Sequence, residues 1–292
     1  MIKAKKSLGQ NFLVDARVAR RIIDAVSPQP TDIVLEIGPG TGALTRGLVE
    51  RSGFVAAVEI DHDLIEGLRR SIASPRLSLV EADALKLDWG ATIDAAIDSW
   101  RKLDRGTQSE PRVRIVANLP YYISTAVIAK LLRLGRRVFD MTLMLQDEVV
   151  DRITSAPGGR EYGYLSVLVQ YHTVAAKLFE VPPSAFKPAP KVRSAVIRLA
   201  VRAAPPIDLS DEDRFFELVK ACFSQRRKTL LNNLKARARG MGLVDDVERA
   251  LADAGIDPKR RAETLSLQEF GALFHALYGR AAREPVGKTG SL

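Results

Sequence analysis

The sequence predicts a Rossmann-like α/β fold followed by a small all-helical domain, and three features carry this prediction. The mostly apolar run Ile33–Ile37 is typical of a strand buried on both faces of a parallel sheet. The next segment, Gly38–Gly42, has glycine at every second position and leads into helical spacing, as at the start of a nucleotide-binding βαβ unit. After the linker at Pro205, apolar residues recur with helical spacing throughout. We therefore assign residues 1–204 to the first domain and residues 205–292 to the second.

The composition is that of an ordinary globular protein, with 46% hydrophobic and 27% charged residues. No apolar run approaches the ~18 residues that a membrane span needs, and no apolar segment of a signal peptide follows the basic start. Cys222 is the only cysteine, which excludes an internal disulfide and favours a reducing compartment. We expect a cytoplasmic protein with a buried Cys222. His62, His172 and His275 have no ligand spacing, so we predict no metal site.

The charge is strongly positive, with 44 lysines and arginines, 35 acidic residues and a pI near 9.7. This excess predicts a polyanionic partner, of which nucleic acid is the commonest. The alternative is a basic surface with no specific partner.

One predicted helix, Gln225–Arg239, contains basic residues and no acid. Leucines line one face of this helix, whereas Lys228, Lys235 and Arg239 fall together on another. A face of this kind favours phosphate contact over a merely solvated surface. The candidate RNA-binding residues are Arg226, Arg227, Lys228, Lys235 and Arg239.

The second predicted strand, Phe54–Ile60, ends in an acid, Glu59. A carboxylate at this strand tip can accept hydrogen bonds from both ribose hydroxyls of an adenosine, while Gly38 and Gly40 let the backbone approach the ligand closely. NAD and S-adenosylmethionine both carry that ribose, so Glu59 alone does not distinguish them.

The third predicted strand, Leu77–Glu81, is followed by Asp83. Ligands of open α/β sheets bind at the carboxyl ends of the strands, which makes Asp83 a candidate for the adenine amino group. The alternative is that Asp83 only caps a helix.

The fourth predicted strand, Val113–Ala117, runs into Asn118-Leu119-Pro120-Tyr121. Methylating the exocyclic amine of a base is difficult because the nitrogen lone pair is delocalised into the ring. The Asn118 side-chain carbonyl and a nearby backbone carbonyl can accept both amino hydrogens and direct the lone pair at a methyl donor. Tyr121 offers a face on which an extruded base can stack. A simple Asn-Pro turn is the alternative.

Two further segments are candidates for the same site. Phe186 lies in a proline-dense loop and is a plausible second stacking face, or else a hydrophobe tucked into the core. Near the start of the chain, Phe12–Val14 is too apolar for a free tail, so we expect it to dock on the domain.

With these residues in view, the chain resembles the ribosomal RNA small subunit adenine N6,N6-dimethyltransferase family, the kasugamycin-sensitivity type. The resemblance covers nearly the whole chain and is carried by residues 10–13, 36–42, 59, 83, 118–121, 182–186, 224–229, 255–258 and 261–263. The C-terminal matches favour this family over the related macrolide-resistance methyltransferases of the large subunit. The segment 89–111 is longer than the family leads us to expect.

The resemblance implies a class I S-adenosylmethionine-dependent methyltransferase sheet and dimethylation of two neighbouring adenosines near the 3′ end of 16S rRNA, late in small-subunit assembly. It implies that Asn11, Leu13 and Asn118 contact the cofactor, since the N-terminal motif of the family folds over S-adenosylmethionine. Transfer would be an in-line displacement without a general base. We expect a monomer, because no long exposed apolar seam is evident.

Two other classes of function stay open at this point. A nicotinamide-dependent oxidoreductase would need a longer glycine spacing, and it gives no reason for the segment 118–121. A non-catalytic RNA-binding factor on the same fold would not need Glu59, Asp83 and Asn118 together.

Overall fold

The computed structural model describes residues 4–5, 8–103, 110–241 and 247–279, except for the side chains of Ala238, Arg239 and Met241. The described chain divides into two compact units. One contains the residues up to 154 together with 172–203, and the other contains 155–171 together with the residues from 204 onwards. The second unit thus includes residues 155–171, which the division drawn from sequence had placed in the first domain.

The first unit is built on a seven-stranded sheet. Its strands are β2 Ile33–Ile37, β3 Phe54–Glu59, β4 Leu77–Glu81, β5 Val113–Asn118, β6 Asp140–Gln146, β7 Thr173–Val181 and β9 Ser194–Val201. Their order in the sheet is β4-β3-β2-β5-β6-β9-β7. The five adjacent strands β4, β3, β2, β5 and β6 run parallel to one another, whereas β9 is antiparallel to both β6 and β7. The predicted parallel strands are confirmed.

Helices alternate with the parallel strands of this unit along the chain, as the Rossmann-like prediction requires. They are α1 Ala16–Val26, α2 Thr45–Arg51, α3 His62–Ser71, α4 Trp89–Leu103, α5 Ser124–Leu132 and α6 Asp147–Thr154. Two begin at aspartate caps: Asp15 accepts from the backbone N–H groups of residues 17 and 18, and Asp61 accepts from that of residue 63.

A short two-stranded sheet joins the start of the chain to the proline-dense loop. Here β1, Phe12–Leu13, pairs antiparallel with β8, Phe186–Lys187. The predicted docking of the N-terminal segment is therefore confirmed, although Val14 leaves its side chain 56% exposed. Its backbone N–H still donates to the Ala185 carbonyl oxygen at 2.9 Å.

The second unit is helical and contains α7 Tyr164–His172 (through Tyr171), α8 Glu212–Cys222, α9 Leu230–Met241, α10 Val247–Asp253 and α11 Leu267–Tyr278. Aromatic rings dominate its core, where Tyr171, Phe215 and Phe274 are buried and pack in a contiguous cluster. Cys222 belongs to this cluster, as predicted, and burial raises the pKa of its thiol. The N-cap of α8 is Asp211, whose side chain accepts from the Arg214 N–H.

A buried ion-pair network lies in the first unit and involves the starts of β5 and β6. Arg114 donates to Asp32 at 2.7 Å, to Asp140 at 2.8 Å and to the Val26 carbonyl at 3.1 Å. Arg198 donates from Nε to the same Asp140 at 2.9 Å. Because these carboxylates are almost fully buried, Arg114 compensates both of them for lost hydration, and Arg198 contributes further at Asp140.

Replacing Arg114 with methionine should therefore lower the free energy of unfolding by about 3–5 kcal/mol, because two buried carboxylates lose their shared partner. Urea denaturation measures this loss. The matched control is Arg51→Met, which removes a half-exposed pair with Asp24 and should cost under about 1 kcal/mol. Equal losses of unfolding free energy in the two variants would contradict the role of Arg114 as the shared partner of the two buried carboxylates.

Candidate functional site

Four parallel strands end at the same edge of the sheet, and their carboxyl ends surround one cavity of about 260 Å³. The glycine loop follows β2, Glu59 ends β3, Asp83 follows β4 and Asn118 ends β5. All of these line the cavity, together with the N-terminal segment 8–13. The structure therefore brings together every cofactor and catalytic candidate predicted from the sequence.

The glycine loop depends on backbone angles that other residues rarely adopt. Gly38, Gly40 and Gly42 all have positive φ, of 67°, 58° and 86°. A Cβ at Gly38 would meet only the Asn118 carbonyl, at 3.8 Å, so this position is open toward the cavity. A Cβ at Gly40 would lie 3.2 Å from the Phe12 ring, and one at Gly42 would lie 2.9 Å from Leu68. Gly38 is thus the open position, while Gly42 permits close packing of the loop on α3.

The Glu59 carboxylate ties the glycine loop to the end of β3. Its Oε2 accepts from the Gly40 N–H at 3.2 Å, and its Oε1 accepts from the N–H groups of Ile60 and Asp61, each at 3.0 Å. Burial raises the pKa of Glu59, against the effect of these hydrogen bonds. One of the approximately four acceptor positions of the carboxylate is left for a ligand.

Glu36 is a cavity residue that the sequence reasoning did not single out. It lies inside the otherwise apolar β2, is 2% exposed, and has an Oε2 atom with no hydrogen-bond partner in the described structure. Burial raises the pKa of its carboxyl to about 8. The sequence could have indicated Glu36, because a single acid in a strand that is buried on both faces needs an explanation.

Asp83 is half-buried and lies just after β4. Its Oδ1 accepts from the Leu85 N–H at 2.9 Å, and its carbonyl accepts from the N–H groups of Lys86 and Leu87. The residue therefore caps a turn after β4, and it also lines the cavity.

The N-terminal segment is held to the tip of β3 by side-chain contacts. Lys5 donates to Asp61 at 2.6 Å, and Gln10 donates to the other oxygen of Asp61 at 2.9 Å. Asn11 and Leu13 follow directly, and both line the cavity. This anchoring places the two residues beside the glycine loop, where the Phe12 ring contacts the position of Gly40.

Asn118 has its side-chain amide oriented by this same segment. Its Nδ2 donates to the Asn11 carbonyl oxygen at 3.3 Å, and its Oδ1 accepts no hydrogen bond from the described residues. The adjacent Leu119 carbonyl accepts no hydrogen bond within the described part of the chain, whereas the Pro120 carbonyl accepts from the Ile123 N–H. Asn118 and Leu119 both line the cavity, and each offers one acceptor.

Besides Phe12, three aromatic residues line the cavity. Tyr121 is partly exposed, and its hydroxyl is 2.8 Å from the Ser194 Oγ. Phe186 is 5% exposed and packs with Leu13 in the core, which is the alternative that the sequence had left open. Tyr122, which sequence reasoning missed, is 65% exposed.

The predicted basic helix differs from the observed structure at its start. Residues 225–229 form a turn, and α9 begins only at Leu230. The buried side chain of Asn233 explains this, because it donates to the carbonyl oxygens of Cys222 and Gln225 at 2.7 and 3.1 Å. Lys228 therefore lies in the turn and does not share a helix face with Lys235.

Two of the predicted RNA-binding residues are engaged in ion pairs. Arg226 donates to Glu263 at 3.1 Å and also to the Arg160 carbonyl, and Lys235 pairs with Glu248. Arg227 and Lys228 are exposed, and their side chains have no hydrogen bond or ion pair with the described residues. The side chain of Arg239 lies outside the described part of the chain.

The described residues contain neither a cluster of metal-ligating side chains nor a membrane-spanning helix. No group of three or more His, Cys, Asp or Glu side chains within them could hold a metal ion. None of the described helices is long and apolar enough to cross a membrane.

Solved structures resemble the chain over most of its length. A dimethyladenosine transferase from Plasmodium falciparum has a TM-score of 0.70 at 26% identity, covering 90% of this chain and 95% of the other. The 23S rRNA methyltransferase ErmE has a TM-score of 0.64 at 27% identity, covering 91% and 99%.

Sequence relatives are closer. Proteins named "Ribosomal RNA small subunit methyltransferase A" are 48% identical in Acinetobacter baylyi, covering 93% of this chain and 91% of the relative. The Moorella thermoacetica protein of that name is 44% identical, covering 94% and 92%. Residues 1–277 match the family described as "Ribosomal RNA adenine dimethylase". The chain therefore belongs to the ribosomal RNA adenine dimethylase family, whose members are methyltransferases.

Proposed function

We propose that this protein uses S-adenosylmethionine to dimethylate the N6 amino groups of two adjacent adenosines near the 3′ end of 16S rRNA in the small ribosomal subunit. The observation that carries the proposal is the side-chain amide of Asn118. Its Nδ2 donates to Asn11, no described residue donates to its Oδ1, and both Asn118 and Leu119 line the cavity.

The cavity suits the proposed cofactor. Gly38 gives a ligand room to approach the backbone, and Glu59 retains an acceptor position for a ribose hydroxyl. Asp83 provides a carboxylate at the next strand tip for the adenine amino group. Asn11 and Leu13 would cover the cofactor from the N-terminal side. When bound, S-adenosylmethionine supplies a methyl group on a positively charged sulfur.

Asn118 and Leu119 would act on the adenosine amine itself. Two acceptors can take both amino hydrogens, which favours a tetrahedral nitrogen whose lone pair points at the methyl donor. The nitrogen that results carries a positive charge, so its proton is acidic enough to leave to solvent without a general base. Tyr121 would stack on the extruded base, and the buried Phe186 would form part of the wall of the same site.

The small subunit is the better-supported substrate. The relatives named for that subunit are 42–48% identical to the chain, whereas the ErmE structure, named for 23S rRNA, is 27% identical. Action on this rRNA would couple the protein to subunit assembly in the cytoplasm, and we propose that the enzyme works as a monomer.

Arg227 and Lys228 are the strongest candidates for phosphate contact in the second unit. Both are exposed in the turn before α9 and unpaired among the described residues, whereas Arg226 and Lys235 already pair with acids. A base can be extruded only if binding energy comes from elsewhere on the RNA, and exposed cations provide it.

The proposed function is tested by incubating unmethylated small subunits with tritiated S-adenosylmethionine and mapping the labelled nucleotides. We expect two methyl groups on each of two adjacent adenosines. Asn118→Ala should lower turnover about 100-fold or more while changing cofactor affinity much less, because the Oδ1 acceptor acts on the amine. Label on other nucleotides would overturn the substrate assignment, and near wild-type turnover of the variant would overturn the role of Asn118.

The phosphate contacts are tested by binding to small subunits across a salt series. Changing Arg227 and Lys228 together to glutamate should weaken binding and flatten its salt dependence, since each phosphate contact adds about 0.7–0.9 to the slope. Lys235→Gln is the matched control, with a smaller expected change because Lys235 pairs with Glu248. A double variant with the wild-type slope would place the RNA contacts elsewhere.

Glu36 predicts a pH dependence of stability in the cofactor-free protein. Because the folded-state pKa of about 8 exceeds the ordinary value of 4.5, the folded protein retains a proton that the unfolded chain releases. The resulting stabilisation is complete below pH 4.5 and is lost as the pH rises through about 8. The free energy of unfolding should fall by a few kcal/mol across this window, because the size of the fall is set by the difference between the folded-state and unfolded-state pKa values. Glu36→Gln should remove that fall, and equal pH slopes in urea denaturation would contradict the prediction.

A further inference from the structure

The hydroxyl of Tyr121 lies 2.8 Å from the Oγ of Ser194, a residue 73 positions further along the chain. Ser194 is 1% exposed, so its hydroxyl is shielded from water. Tyr121 lines the cavity, whereas neither the sequence motif nor the family resemblance pointed to Ser194. This contact connects the proposed base-stacking ring to a strand that carries none of the other proposed catalytic residues.

The backbone of Ser194 is held firmly by the sheet. Ser194 is the first residue of β9 and is in register with Gln146 of β6 on one side and with Val181 of β7 on the other. It is also the point at which the chain returns from the loop that contains Phe186. The position of its Cβ is therefore set by two neighbouring strands and does not depend on the turn that carries Tyr121.

The main chain of Tyr121 is fixed separately. Ser124, itself 1% exposed, donates from Oγ to the Tyr121 carbonyl oxygen at 3.0 Å, and the Ile123 N–H donates to the Pro120 carbonyl at 3.2 Å. Tyr121 is thus anchored at its backbone by the start of α5 and at its hydroxyl by β9. A phenylalanine in the same place would have only the first anchor.

We infer that Ser194 is a positioning residue that holds the Tyr121 ring as a fixed stacking face for the target adenosine. The inference rests on the proposed function. An aromatic ring rotates about two side-chain bonds, and stacking needs one orientation, so a ring fixed before the base arrives loses less entropy on binding. Burial raises the pKa of Tyr121, so the phenol stays protonated at neutral pH and can take either role in the bond to Ser194.

The first test is Ser194→Ala, assayed by methylation of small subunits and by cofactor calorimetry. We expect kcat/KM for the subunits to fall about 2- to 10-fold, the size of one lost hydrogen bond. The dissociation constant for S-adenosylmethionine should not change. Ser52→Ala is the matched control, because it also removes a fully buried serine hydroxyl, one that donates to the Leu48 carbonyl away from the cavity. That control should keep the wild-type kcat/KM.

A double-variant cycle distinguishes positioning from a general packing effect. If Ser194 acts through the Tyr121 hydroxyl, Tyr121→Phe should lower kcat/KM similarly, and adding Ser194→Ala should cause no further loss. An unchanged kcat/KM in Ser194→Ala, or an equal further loss in the Tyr121→Phe background, would overturn the inference. Failure of the proposed function is a separate result, because the wild-type protein would then not methylate the subunits at all.

Discussion

Four parallel strands that end at one edge of the sheet are the constraint on which the candidate site depends. Because β4, β3, β2 and β5 are adjacent in that order, residues that follow each of them meet at one cavity. The N-terminal strand then completes the site, since β1 pairs with β8 and the Asn11 carbonyl accepts from Asn118, 107 residues away. The orientation of the Asn118 amide is therefore set by tertiary structure.

The sheet and the polar residues at its edge were predictable from the sequence because both follow from local patterns. An apolar run defines each buried strand, and Glu59, Asp83 and Asn118 stand where such runs end. The environment of Phe186 was not predictable in the same way. Whether its ring faces a ligand or packs with Leu13 depends on the pairing of two distant segments, and the structure places it in the core while it still lines the cavity.

Which basic residues are free to bind a ligand was likewise not predictable from the sequence. The absence of acids between residues 225 and 239 said nothing about Glu248 and Glu263, which come from later segments and pair with Lys235 and Arg226. Nor did helical periodicity reveal that Asn233 uses its side chain to hold the preceding turn. Ion pairs and side-chain caps between distant segments leave no periodic trace, so the exposed cations could be identified only from the structure.

The most direct test of the proposed cofactor site is a crystal structure of the protein with S-adenosylhomocysteine. In that structure we expect a ribose hydroxyl to donate to Glu59 and the adenine amino group to donate to Asp83. We also expect the sulfur to face Asn118, whose side-chain amide should still donate to Asn11. A ribose bound away from Glu59, or a sulfur directed away from Asn118, would contradict the proposed arrangement of the site.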